Sequence, residues 1–315
     1  MIELLAWAAI ATMGLLTCTQ AFGYSGWSPV SILQSLTPIL LFPALPIAVV
    51  ALLARRFAMA GTSAGIVLAL VILVAPVIWH DSRPTIPPES QGLVVAHSNL
   101  LYSNKDRSTE AIATLLATDA DVLVLNEFTL IHRADLVAAG AEQTYPYRAE
   151  RADYGPQGIG VWSKYPLSDT SFFPSATRLG LTTTVDINGA AVRLLAVHPP
   201  PPINADALRG WLDGLQQIEQ LAHEAGPPTI IVGDFNASRW HPPFRRLLDD
   251  GWHDVHEWLG DGFGATWPTD RWLPPAFVRL DHVLLGSGLA PVSVKDLDIA
   301  GSDHRGVVVR LALVP

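Results

Sequence analysis

Three long apolar runs open this chain, at residues 4–22, 32–54 and 58–79. Each is close to the ~20 residues that an α-helix needs to cross a bilayer. Up to Trp79 the only charged side chains are those of Glu3, Arg55 and Arg56. So much apolar length with so little charge points to lipid, not a soluble core, as the surroundings. Pro38, Pro43, Pro46 and Pro76 lie inside the runs. Membrane helices tolerate proline where neighbours satisfy the freed backbone groups. A cleaved secretory signal would begin with positive residues, whereas this chain begins "MIELL" and continues into two further runs. Three transmembrane helices are therefore expected, in a membrane region of residues 1–80.

Arg55 and Arg56 fall in the short loop between the second and third runs, and residues 23–31 hold no basic residue. The positive-inside rule places the arginine loop in the cytoplasm. Everything after Trp79 is then extracytoplasmic, with Arg83 a weak opposing charge. The expected location is a multi-pass protein of the cell membrane. Residues 81–91 are polar and proline-rich and read as an extended linker. The lone cysteine, Cys18, excludes an intramolecular disulfide and a thiolate zinc cluster.

Residues 92–315 have a different pattern. Short apolar runs such as "GLVVAHSNLL", "DVLVLNEF", "AVRLLAVHP" and "PTIIVGDFN" are bounded by Gly, Pro and Asn-Gly signals and read as strands. "STEAIATLLATDA" has helical spacing, with Ser108 or Thr109 as N-cap, and residues 206–226 read as an amphipathic helix ending at Gly226. Many strands with a few helices predict an α/β fold with a layered sheet core flanked by helices.

Polar residues gather where these strands end: Asn99, Asn126 with Glu127, His198, Asp234 with Asn236, Asp281 with His282, and Asp303 with His304. Any one of them alone reads best as a turn residue or a structural histidine. Six strand ends carrying carboxylates, amides and histidines, with no lysine, are harder to explain that way. Carboxylate and carboxamide oxygens are hard ligands suited to Mg²⁺ or Mn²⁺. Histidine can move a proton or stabilise a phosphoryl oxygen near neutral pH.

In that order, "LNEF", "GIGVWSKYPL", "VHP", "GDFN", "LDHVLL" and "GSDHRG" resemble the endonuclease/exonuclease/phosphatase superfamily, which includes deoxyribonuclease I and the neutral sphingomyelinases. The resemblance implies a four-layered α/β sandwich of two packed, mainly antiparallel sheets, here preceded by the three membrane helices. It also implies a metal-dependent hydrolase of phosphoric esters. Asn99, Glu127 and Asp303 would hold the metal. His198 would contact the scissile phosphate and Asp234 would activate water. Asn236 would bind phosphate or orient Asp234. Asp281 would orient His304, the acid, base or transition-state stabiliser. No secure match exists for the tyrosine that some relatives place near phosphate, Tyr154 being the nearest candidate.

The substrate is narrowed by charge. From Gly92 onward acidic residues outnumber basic ones, and no Lys/Arg run offers the counterion release that duplex DNA binding draws on. The layout is similar to that of actinomycete membrane proteins of this superfamily linked to teicoplanin resistance. The expected substrate is an extracytoplasmic, lipid-linked phosphate or a phospholipid, with the bilayer as the other partner and no protein partner implied. The alternatives are a membrane-tethered nuclease and an inactive envelope binding module. Trp240, Trp252, Trp258, Trp267 and Trp272 are candidates to meet lipid or to pack in the core.

Overall fold

Two of the prolines decide how the second apolar run folds. In the computed structural model, which describes residues 1–79, 85–226, 228–271 and 274–314, the first and third runs are single helices, α1 (Ile2–Ala21) and α5 (Phe57–Ile78). Both are long and apolar enough to cross a membrane. The second run is not one helix. It breaks into α2 (Ser28–Ser35), α3 (Thr37–Leu41) and α4 (Ala44–Leu53), with an 83° bend between Ser28–Ser35 and Thr37–Leu53. Pro38 and Pro43 lack the N–H that a continuous helix needs, which explains the breaks. The expected second span is therefore a bent path, counted as a span only if its two arms are taken together.

Glu3 and Arg56 pair at 3.4 Å, joining the amino-terminal ends of α1 and α5. The other ends, at Gln20 and Val77, touch the rest of the protein. The two helices thus run in the same direction, with the arginines away from the sandwich that follows.

That sandwich is built from β1 (Gly92–Asn99), α6 (Ser108–Leu116), β2 (Val122–Asn126), α7 (Leu130–Ala138), α8 (Ala141–Thr144), β3 (Tyr147–Arg151), β4 (Ile159–Ser163), β5 (Leu167–Ser175), β6 (Arg178–Ile187), β7 (Ala190–Val197), α9 (Ala205–Ala225), β8 (Thr229–Asp234), α10 (Pro242–Asp249), β9 (His253–Asp254), α11 (Val255–Leu259), β10 (Asp281–Leu285), β11 (Leu289–Asp298) and β12 (Arg305–Leu313). The strands form two six-stranded sheets, ordered β11-β12-β1-β2-β4-β3 and β5-β6-β7-β8-β10-β9. Each has one parallel pair, β1 with β2 and β7 with β8, and is otherwise antiparallel. Asn188 and Gly189, at φ 51° and 95°, make the tight β6–β7 hairpin that the Asn-Gly pair predicts. Asn204 accepts from the N–H groups of Asp206 and Ala207 and so caps α9. The expected cap of α6 is absent. Ser108 is already the first helical residue, and its side chain makes no capping bond.

Three apolar clusters separate four layers. Leu93 and Val95 of β1, Val122 and Val124 of β2, Leu194 and Ala196 of β7, and Ile230 and Val232 of β8 meet between the sheets. The opposite faces pack against α9 and α10 on one side and α6 and α7 on the other. Because side chains alternate along a strand, the inward rows continue to His97 and Asn99, Asn126, His198, and Asp234. Val283 and Leu285 of β10 belong to the same core, which puts Asp281 in its row as well.

Candidate active site

The inward rows change from apolar to polar at one end of the sandwich. There, a cleft of about 380 Å³ is lined by Asn99, Glu127, Asp234, Asn236, Asp303 and His304 together with Arg178. Register explains the meeting: Asn99 pairs with Asn126, and Asp281 with Asp234.

Asp234 is almost fully buried and held from three directions. Its backbone N–H donates to Asn126 Oδ1 (2.9 Å). Asn99 Nδ2 donates to its Oδ2 (3.0 Å) and the Asn236 N–H to its Oδ1 (2.8 Å). Burial pushes its pKa up to about 6. The preceding glycine is required by packing. At Gly233, with φ 154°, an added Cβ would lie 2.0 Å from the Val197 carbonyl oxygen of the neighbouring strand. Asn236 reaches the cleft by a route other than strand alternation. The strand ends at Asp234 and Asn236 turns back at φ 47°, donating from Nδ2 to the Pro199 carbonyl (2.9 Å).

Glu127 also has a left-handed backbone, φ 52°. Its Oε2 accepts from the Tyr102 N–H (2.8 Å), while burial raises its pKa. His304 Nδ1 lies 2.8 Å from Asp281 Oδ2, so the expected orienting pair is present. Burial alone would favour a neutral His304 ring, but Asp281 and Asp234 outweigh it and raise its pKa to about 10. Burial also works against the Asp281 carboxylate, yet the His304 and His97 imidazoles hold it well below the usual range. His198 lies 3.7 Å from Asp234 and 3.9 Å from Glu127. Burial, with Arg178 and His304 nearby, keeps its pKa well below the ordinary histidine value. Among the described residues, neither of its ring nitrogens has a hydrogen-bond partner.

Two residues of the site escape a reading of strand ends. His97 sits inside β1, its Nε2 2.9 Å from Asp281 Oδ1 and its Nδ1 donating to the Val124 carbonyl (3.1 Å). Period-two alternation with Asn99 was the signal that could have found it. Arg178 opens β6 and brings a cation beside Glu127 and Asp234. Its pattern position is ordinary, and only the fold reveals it.

The donor set fits a divalent ion. Glu127 Oε1 accepts no hydrogen bond among the described residues, and Asp303 Oδ1 is buried without a partner, while Asp303 Oδ2 accepts from Trp267 Nε1 (3.1 Å). Asp234, Asp281 and His304 also lie close enough to share an ion. Asp281 and His304 are already engaged with each other, whereas Glu127 and Asp303 each keep an oxygen without a hydrogen bond among the described residues and could hold the ion. Asn99 has both ends of its amide engaged, Oδ1 accepting from the Leu101 N–H (3.0 Å), and positions Asp234. Tyr154 is 86% exposed and does not line the cleft. Of the tryptophans, Trp267 lines the cleft, Trp252 is buried in the core, Trp258 packs on it and Trp240 is half-buried. Trp272 lies outside the described residues.

A two-sheet α/β sandwich with carboxylates, amides and histidines at one end of its sheets defines a class of phosphoester hydrolases. Residues 96–304 match the Endonuclease/Exonuclease/phosphatase family, and this chain belongs to it. Among solved structures it is similar to an endonuclease/exonuclease/phosphatase from Beutenbergia cavernae DSM 12333, at 20% identity over 71% of this chain and 72% of that one, with a TM-score of 0.59. It is similar to D. rerio TDP2 complexed with a single-strand DNA product, at 18% identity over 70% and 99% of the two chains, TM-score 0.58. A family protein from Bacteroides vulgatus aligns at 15% identity over 71% and 100%, TM-score 0.56. At these identities the likeness is one of fold. No curated protein matches the chain.

Proposed function

We propose that this chain is a membrane-anchored, divalent-metal-dependent phosphoesterase that hydrolyses a lipid-linked phosphate ester on the extracytoplasmic side. The observation that carries the hydrolytic reading is the convergence of Asp234, His304, Arg178, Glu127 and Asp303 on one cleft, with Asp281 behind His304 and His198 behind Asp234. The orientation is supported by Arg55 and Arg56, which lie at the end of the helices away from the sandwich.

Asp234 is the base. Asn99 and Asn236 hold its carboxylate, and it takes the proton from water as the water oxygen bonds to phosphorus and the ester P–O bond breaks. His304 Nε2 lies only 3.8 Å from Asp234 Oδ2. In-line displacement puts attacking and leaving oxygens on opposite sides of phosphorus, so Asp234 and His304 serve the same side. His304 therefore acts as a cation on the phosphoryl oxygens, and the departing oxygen takes its proton from solvent. Arg178 adds a second cation, and neutral His198 offers an N–H to a phosphoryl oxygen. Glu127 and Asp303 would hold Mg²⁺ or Mn²⁺, which supplies charge to the phosphate when bound.

The test is a panel given to the full chain in detergent: bis-p-nitrophenyl phosphate, phospholipids, a polyprenyl pyrophosphate, RNA and plasmid DNA, with His304→Ala as control. Turnover of a lipid ester that EDTA abolishes and Mg²⁺ or Mn²⁺ restores is the expected outcome. Plasmid nicking without lipid turnover would overturn the lipid assignment. Inactivity on every ester would favour a binding module.

A further inference from the structure

The membrane region does more than hold the sandwich near lipid. Ile32 and Ser35 of α2 line the same cleft as Glu127, Asp234 and His304. Pro201, Pro202 and Ile203, from the proline run that follows His198, line it as well. The cleft thus combines charged catalytic candidates with apolar side chains from two segments, one of them the membrane region.

The α2 contribution is fastened by polar residues that interrupt the apolar runs. His241, five residues past Asn236, has its Nδ1 facing the Ser238 N–H (2.8 Å), so Nε2 carries the proton and donates to the Ser31 carbonyl of α2 (2.8 Å). Gln20 of α1 donates from Nε2 to the Trp240 carbonyl and to Thr37 Oγ1, each at 2.8 Å. Arg245 of α10 reaches the Gln20 side-chain and backbone oxygens. Gln34 is fully buried and bridges Ser25 and the Tyr24 carbonyl. Buried polar groups beside lipid need such partners, and this knot satisfies them while fixing α2 at the cleft.

The apolar lining reaches the surface of the protein. Ile32 is 45% exposed and Ile203 65% exposed. Phe22, Tyr24, Trp27 and Trp79 are exposed at the same end of the helices, the arrangement of an interfacial aromatic belt. Since α2 is bent 83° from Thr37–Leu53, a crossing arm leaves α2 along the membrane surface.

We infer that α2 is a substrate-binding element: the hydrocarbon chain of a membrane lipid phosphate ester lies between Ile32 and the 201–203 loop while its phosphate reaches Asp234 and His304. This rests on the phosphoesterase reading above. It is tested on the full chain in phosphatidylcholine nanodiscs with two probes, hexadecyl p-nitrophenyl phosphate and methyl p-nitrophenyl phosphate. The wild-type kcat/KM for the long-chain ester should exceed that for the methyl ester at least tenfold, and Ile32→Ser and Ile203→Ser should each lower that ratio severalfold. A wild-type ratio near one, or a ratio that neither substitution moves, overturns the inference. If neither ester is hydrolysed, the phosphoesterase reading fails instead. Photolabelling then decides the binding role, using hexadecyl phosphate with a diazirine on its chain. Labels on α2 and residues 201–203 that Ile32→Ser weakens support it, and labels confined to α1 and α5 overturn it.

Discussion

Consecutive residues of β10 feed two buried His–Asp pairs on opposite faces of one sheet. Asp281 points between the sheets and meets His304. His282 points to the helix layer, where Nδ1 meets Asp254 Oδ2 (2.6 Å) and Nε2 meets the Ala237 carbonyl (2.9 Å). Phe235 and Phe244 pack around the His282 ring. The residue types are the same and the surroundings are not. His282 has no nitrogen left over, whereas His304 keeps Nε2 directed at the cleft, with Asp234 and Asp303 within 4.0 Å. A His–Asp pair alone therefore says little about catalysis. A free nitrogen facing other functional groups says more.

The sharpest way to break this contrast is to remove each histidine. His304→Ala should cost about 10³-fold in kcat, in line with loss of a preorganised transition-state stabiliser, with the circular-dichroism spectrum preserved. His282→Ala should do the reverse, lowering unfolding stability by about 3 kcal/mol while turnover per folded molecule holds. Equal effects of the two on turnover would erase the distinction.

Asp281→Asn should cost about 10²-fold. It should also shift the pH profile. In the proposed mechanism His304 works protonated, and its pKa is raised to about 10 by Asp281 and Asp234 acting against burial. Removing one carboxylate lowers that pKa, so the alkaline limb of kcat/KM moves to lower pH. The acid limb tests Asp234. As the proposed base it acts ionised, and burial has raised its pKa to about 6, so the rate should climb with pH through that value. Smallest is His97→Gln, which removes a hydrogen bond to Asp281 and should cost about tenfold, equivalent to about 1.4 kcal/mol.

Much of the site was legible because it obeys strand periodicity. Asn99, His198, Asp234 and Asp281 extend apolar rows already visible as alternation. Glu127 and Asn236 stood out by neighbourhood, although their side chains are placed by left-handed turns that no alternation foretells. Arg178 was hidden because an arginine opening a strand looks like any solvated edge. The bent second run was harder still. Its hydropathy supports a span, and the same prolines that are tolerated inside membrane helices here broke one, since backbone strain competes with packing and sequence shows only the first. The proposed role of α2 depends on contacts between residues some two hundred positions apart, such as His241 with Ser31.

Glu127 carries a tension between chemistry and durability. A left-handed backbone suits glycine far better than glutamate, and the mismatch costs on the order of 1 kcal/mol. Asn236 sits in the same conformation more comfortably, as asparagine does generally. Selection for heat resistance alone would thus push position 127 toward glycine, and, with Glu127 as the proposed metal ligand, a population drifting that way would become sturdier as it lost its ability to cut.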